Sequence, residues 1–243
     1  MERREYEKLA AAEEGTWWFG GLHAVLIDAL AGATLAPLST VLDAGCGTGG
    51  LLARLKQTLP RAHLVGLDLD VVAAVLARAK SGCPVCIGSI DRLPLGEGTL
   101  DAVLSADVLC HRGVDAAAGL TEIRRCLRPG GILVLNLPAY AWLWSAHDAA
   151  VDNERRFGRA ELEQLLADAG FAAVRVFYWN SFLFPLMVLR RKVWRHAGSD
   201  VGLLPAPVER LFALIMALES RLRRAGLALP FGGSILALAV KPS

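Results

Sequence analysis

Apolar positions recur along this chain with two periods. Residues 40–44, 63–68, 85–89, 100–105, 131–137, 172–178 and 234–240 form short, nearly continuous apolar runs. Helical spacing fills the segments 49–58, 71–80, 115–127 and 159–169, with Pro60, Gly82 and Gly170 as stops. Strand–helix alternation with apolar strands predicts a parallel sheet covered on both faces. Ligands of such sheets bind beyond the carboxyl ends of the strands, where strand order reverses. Ahead of this pattern, residues 2–14 read as a polar helix of mixed charge. Trp17-Trp18-Phe19 then lead into Leu22, Val25, Leu26, Ile27 and Leu30 at helical spacing. Three adjacent aromatics cannot share one face, so one side of this segment packs on the domain while the other covers a cavity.

Composition narrows the class. The chain has 243 residues, 54% hydrophobic and 21% charged, which suits one α/β domain with a large core and an insertion. A net charge of +2 gives no nucleic-acid signal. Met1-Glu2-Arg3-Arg4-Glu5 is charged and lacks the apolar core of a signal peptide. No apolar run reaches the roughly 18 residues of a spanning helix. Five cysteines, an odd number, fit a reducing cytoplasm. Cys83-Pro84-Val85-Cys86 has no second pair at zinc-site spacing and precedes a strand, so its thiols read as buried or half-buried and no metal is expected.

The chemistry centres on Val41-Leu42-Asp43-Ala44-Gly45-Cys46-Gly47-Thr48-Gly49-Gly50. A glycine turn between strand and helix lets a ligand lie on bare backbone near unpaired N–H groups. Gly45, Gly47 and Gly50 also satisfy the dinucleotide GxGxxG pattern, and Asp68 follows at the ribose-binding distance, so a nicotinamide-dependent dehydrogenase stays open here. Asp43, ahead of the first glycine, suits a ligand with an ammonium group. Downstream stand Leu93-Pro94-Leu95-Gly96-Glu97-Gly98-Thr99-Leu100-Asp101-Ala102-Val103 and Leu127-Arg128-Pro129-Gly130-Gly131. With these motifs the chain resembles the class I S-adenosylmethionine (SAM)-dependent methyltransferases of small molecules, over roughly residues 12 to 180 and the last strand.

That resemblance implies a Rossmann-like sheet of seven strands, mostly parallel with an antiparallel last strand, helices on both faces and a helical insertion before the last strand. It implies SAM over the turn of Asp43, Gly45, Cys46, Gly47 and Gly49, with Asp68 and Leu69 at the ribose. Ser89 and Ile90 fall at the adenine, where the family usually has an acid in place of Ser89; Asp91 is a substitute. Ser105 and Ala106 fall beside the methionine part and His111 near the acceptor. One subgroup has a similar Trp-Trp-Phe cover, followed by arginines where this chain has Gly20 and Leu22. The implied division is a cover over 1–38, a SAM-binding core over 39–180, an insertion over 181–230 and the last strand over 231–243.

Two segments speak to the acceptor. Tyr140, Trp142, Trp144 and His147 follow the fifth strand, where the reactive methyl would point; aromatic faces attract a sulfonium or hold an apolar acceptor. His147 is a candidate catalytic base, oriented by Asp148 or Asp152, with His111 the second candidate. Trp17 and Trp18 complete the expected acceptor pocket. Arg155, Arg156 and Arg159 read as surface residues, and Asp101 as structural. The insertion holds two short apolar helices, each ending in arginines. From 181 to 226 there are eight Lys or Arg against three acids. These helices read as a cap on the acceptor pocket, as a homodimer interface, or as a contact with an anionic membrane at its inner face. The first and third imply a small, lipophilic acceptor. A SAM-fold protein without methyl transfer, a cyclase or a membrane-associated binding protein, is the competing class.

Overall fold

The computed structural model describes residues 10, 12–33, 37–192, 204–227 and 229–243. Most of the expected polar helix 2–14 lies outside the described residues; residues 12–15 are helical. The first named helix is α1 (Trp17–Ala33). Then follow β1 (Thr40–Ala44), α2 (Gly50–Thr58), β2 (His63–Asp68), α3 (Val71–Ser81), β3 (Val85–Ile87), β4 (Leu100–Ala106), α4 (Ala116–Cys126) and β5 (Leu127–Pro138). After a 3-10 turn come α5 (Ala146–Ala150), α6 (Arg159–Asp168), β6 (Ala172–Trp179), α7 (Phe184–Lys192), α8 (Ala206–Arg224) and β7 (Ser234–Val240).

The seven strands form one sheet in the order β3-β2-β1-β4-β5-β7-β6. Strands β1 to β5 pair in parallel, and β7 runs antiparallel to both β5 and β6. Order reverses between β1 and β4, which sets the ligand edge at their carboxyl ends. Period-2 alternation explains why the strands read as continuous apolar runs. Leu42 faces a core layer with Leu120, Ile123 and Leu162, whereas Val41 faces the opposite layer with Leu26, Leu52 and Trp179; all are buried. Burying each such leucine or isoleucine stabilises the fold by about 2 kcal/mol.

Three boundaries differ from the sequence pattern. Strand β5 starts at Leu127 rather than 131 because the Arg128–Gly131 turn is tied to β7: Gly130 N–H donates to the Lys241 carbonyl and Lys241 N–H to that of Gly131. Strand β3 ends at Ile87, since Gly88 N–H turns back to the Asp68 carbonyl. The second insertion helix is not short. It runs 19 residues, about 28 Å, entered by proline at Pro205 and Pro207 and closed by Gly226 at φ 91°. It packs on α1, where Met216 lies 3.5 Å from the Cβ position of Gly21.

Candidate functional site

Strand β1 delivers Asp43 to the carboxyl edge of the sheet, where it is buried. The turn behind it needs glycine. Gly45, Gly47 and Gly49 have φ of 83°, 52° and 88°. A Cβ on Gly45 would meet Val108 Cγ2 at 2.1 Å, and one on Gly49 would meet Ala77 Cα at 2.6 Å. Gly45 N–H and Cys46 N–H both donate to the Leu67 carbonyl, at 2.7 and 2.8 Å, which locks the turn to β2. Asp68 at the end of β2 accepts from Gly47 N–H at 2.8 Å and from Asp70 N–H at 2.9 Å. Asp70, not Asp68, caps α3 by accepting from Val72 and Ala73.

The turn is strongly acidic. Burial, then repulsion from Glu13 and Asp68, pushes Asp43 up to about 8, and its Oδ2 is buried without a hydrogen-bond partner. Burial also raises Asp68 and the Cys46 thiol. Such an orphaned oxygen under bare backbone fits a ligand that brings a cationic donor.

Glu13 is a site residue that sequence reasoning missed. Its Oε2 accepts from Thr48 Oγ1 at 2.5 Å and from Gly50 N–H at 3.1 Å, and pairs with Lys80 at 3.0 Å. It thereby fastens residues 12–15 onto the start of α2. His23 sits beside it, buried, with Nδ1 unpartnered; burial and the neighbouring Arg54 and Lys80 push it down to about 3.

The remaining candidates for the cofactor separate. Ser89 Oγ donates to Asp91, so these two act as a unit at the end of β3. Ile90 is buried in the core, and Leu69 is exposed. Ser105 is buried and donates to the Ala44 carbonyl at 2.8 Å, tying β4 to β1, while Ala106 is half-buried.

Asp107 follows directly and was not singled out from the sequence. It has φ 55°, a backbone state in which Asp is tolerated better than most residues. Its Oδ1 accepts from Asn136 Nδ2 at 2.9 Å. Burial pushes its carboxyl up to about 7. Asn136 in turn accepts from Trp179 Nε1 at 2.6 Å. Trp179 stacks on Trp18 with centroids 5.1 Å apart. The chain Asp107–Asn136–Trp179–Trp18 thus joins the ends of β4, β5 and β6 to the N-terminal cover.

The aromatics expected in one pocket form two groups. Trp17 and Trp18 pack with Trp179 and Phe212. Tyr140 stacks on Tyr178 at 5.1 Å and meets Trp142 and Phe184. Trp142 and Trp144 are exposed. His111 is half-buried, with Nδ1 3.4 Å from the Asp152 carbonyl, and His147 is half-buried on α5.

Asp148 is not the orienting partner expected for His147. It is fully buried, accepts from Arg156 Nε at 2.8 Å and Asn153 Nδ2 at 3.2 Å, and closes the capping box of α5 with Ser145. Burial pushes its carboxyl up, but the Arg156 guanidinium outweighs this and holds it below the usual range. Arg156 is correspondingly buried, not a surface residue, and also donates to the Ala139 carbonyl at 2.8 Å. Asp152 pairs with exposed Arg112. Asp101 is structural as expected: it accepts from the amides of Ser39 and Thr40 and pairs with Arg128.

Comparison with known proteins adds independent findings. Residues 42–135 match the family model described as "Methyltransferase domain". A malonyl-[acyl-carrier protein] O-methyltransferase of Dechloromonas aromatica is 36% identical over 142 residues, 56% of this chain and 53% of that protein. The chain thus spans about half the length of the curated relatives it matches. Two solved structures share the fold. Geranyl diphosphate C-methyltransferase of Streptomyces coelicolor, solved with S-adenosyl-L-homocysteine, has TM-score 0.63, 17% identity, and coverage of 91% of this chain and 79% of that one. Phosphoethanolamine N-methyltransferase 2 of Haemonchus contortus, solved with S-adenosyl-L-methionine, has TM-score 0.62, 15% identity, and coverage of 91% and 52%.

Proposed function

Because its central domain belongs to the class I SAM-dependent methyltransferase family, we propose that this chain transfers a methyl group to an O, N or C atom of a small, lipophilic acceptor. The observation that carries this reading is the Asp43 carboxyl, buried with its Oδ2 unpartnered beneath the glycine turn and near Asp68. Bound SAM supplies an electrophilic methyl on a sulfonium centre. Asp43 would face the ammonium of the amino acid part. The turn amides and Ser105–Ala106 would border that part, Asp68 and Leu69 the ribose, and the Ser89–Asp91 pair with Ile90 the adenine. Since Asp68 already accepts two backbone N–H groups, it is preorganised to accept hydroxyl donors on its remaining lone pairs.

The protein's main contribution is proximity and exclusion of water. Trp17, Trp18, Trp179 and Phe212 form one apolar wall, and Tyr140, Tyr178, Trp142 and Phe184 another. Where the acceptor must lose a proton, Asp107 takes it. Its carboxyl lies one residue beyond Ala106, and the next residue, Val108, covers Gly45. A carboxyl near 7 is half-ionised at neutral pH and able to accept a proton. His111 and His147 are the second and third candidates.

One relative is named for a malonyl-acyl carrier, while the structural neighbours, named for geranyl diphosphate and phosphoethanolamine, support the fold alone. The nicotinamide reading is set aside, because an antiparallel β7 between β5 and β6 departs from the dinucleotide-binding strand order. The test is release of S-adenosylhomocysteine from SAM with a panel of prenyl, acyl and aromatic acceptors set against short polar analogues. Turnover that rises with apolar chain length is expected; turnover of polar analogues alone would overturn the acceptor class.

A further inference from the structure

Helix α8 has an outward face that no other described residue covers. Leu211, Leu214 and Leu218 lie at i, i+3 and i+7, and are 54%, 68% and 51% exposed. A leucine stripe of this kind costs solubility and is unusual on a monomer surface. The charges around it are sorted. Both acids of the helix turn inward: Glu209 accepts from Trp17 N–H at 2.7 Å and Leu204 N–H at 2.9 Å, and buried Glu219 accepts from Ser181 N–H at 2.8 Å and Phe182 N–H at 3.0 Å. Arg223 and Arg224 share a single acid, Asp28. Arg210 and Arg221 are exposed beside the stripe and form no ion pair among the described residues. The outward surface of α8 is therefore leucine and arginine with no acid.

Further large apolar side chains are exposed outside the helix. Glu219, next to Leu218, holds the amides of Ser181 and Phe182, and Phe182 is 41% exposed. Phe231 meets Phe184 at 5.9 Å, and Phe184 meets Trp142, itself 53% exposed, at 6.2 Å. Exposed leucine, phenylalanine and tryptophan bordered by arginine is the surface chemistry of proteins that lie on a bilayer, with rings at headgroup depth and cations on anionic lipid. No helix among the described residues is long and apolar enough to cross a membrane, so the fit is to a surface rather than a span.

We propose that the leucine–arginine face of α8 docks the protein on an anionic lipid bilayer. A second copy of this chain fits the face less well. Antiparallel pairing of two α8 helices sets Arg210 of one against Arg221 of the other, and in either orientation no outward acid offsets the arginines. The docking itself does not depend on methyl transfer.

The test is sedimentation with vesicles of phosphatidylcholine alone and of phosphatidylcholine with one quarter phosphatidylglycerol. Three proteins are compared: wild type, Leu214→Glu/Leu218→Glu, and Arg210→Glu/Arg221→Glu. All substituted positions are exposed, and circular dichroism confirms that each variant is folded. The expected result is wild-type binding to the anionic vesicles, weakened by high salt, and at least about tenfold weaker in both variants. Three results would each overturn the proposal. One is the absence of binding to anionic vesicles. Another is equal binding by the leucine variant. The third is a wild-type dimer by light scattering that the leucine substitutions convert to monomer.

Discussion

Asp43 concentrates the chemistry of the site in one residue. Its folded carboxyl titrates near 8, against about 4 in an unfolded chain, so folding takes up a proton across that interval. Asp107, raised to about 7, acts in the same direction. A raised carboxyl favours the folded state below the unfolded value and costs stability as pH climbs to the folded value. The ligand-free protein should therefore lose thermal stability from about pH 4 to about pH 8, with no further loss from these groups above that. Asp43→Asn should flatten this slope and melt roughly 5 °C above wild type at pH 8, measured by calorimetry without ligand. An ammonium docking on Asp43 reverses the shift, so binding of SAM at pH 7 should release on the order of one proton. Titration calorimetry in buffers of different ionisation enthalpy reads that number directly, and Asp43→Asn should abolish the release. Asp107→Asn, by contrast, should leave SAM affinity intact. It should remove the alkaline rise of kcat/KM near pH 7 for whichever acceptor is turned over, and cut the rate by about a hundredfold.

Among the elements, the loop from Ala139 to Phe157 shows where sequence reasoning stopped short. The aromatic run and His147 are visible in the sequence. The Asp148–Arg156 pair is not, because an isolated Arg next to Arg155 gives no sign of being buried. Only the fold reveals that Arg156 also reaches the Ala139 carbonyl and closes the loop. Replacing Arg156 with Met would leave Asp148 charged and buried, at a cost of about 3 kcal/mol, seen as a drop of roughly 8 °C in Tm near neutral pH. Asp148 is held low by Arg156, so that stabilisation is present above the ordinary carboxylate range and fades as pH falls below it. The wild-type advantage over the Met variant should shrink in acid. Glu13 escaped notice for a related reason. Its partner Lys80 is far away in sequence, and an acid in a mixed-charge segment looks solvated.

For the whole molecule, the succession of strands and helices along the chain and the glycine turn were legible because they rest on local signals: apolar runs of strand length, helix stops, and a glycine cluster whose members take positive φ. The antiparallel β7 came from the family resemblance, and the pairing with β5 and β6 bears it out. What the sequence did not reveal is the set of long-range side-chain contacts. The Asp107–Asn136–Trp179 chain spans three strands, and each member alone looks ordinary. Helix α8 is longer than the short helix expected because the residues flanking the apolar run 211–218, from Ala206 on one side and to Arg224 on the other, continue it. Trp17 packs on Phe212 of α8 and Trp18 on Trp179 of β6, so aromatic contacts join α1 to α8 and to the end of β6.

Cofactor identity is the claim on which the rest depends, and the most direct measurement is calorimetric titration of the wild-type protein and Asp68→Ala with SAM, S-adenosylhomocysteine and NADH. Saturable binding of SAM and S-adenosylhomocysteine, at least about tenfold weaker in Asp68→Ala, with no heat from NADH, is the predicted result. Binding of NADH with silence from both sulfur ligands would contradict it.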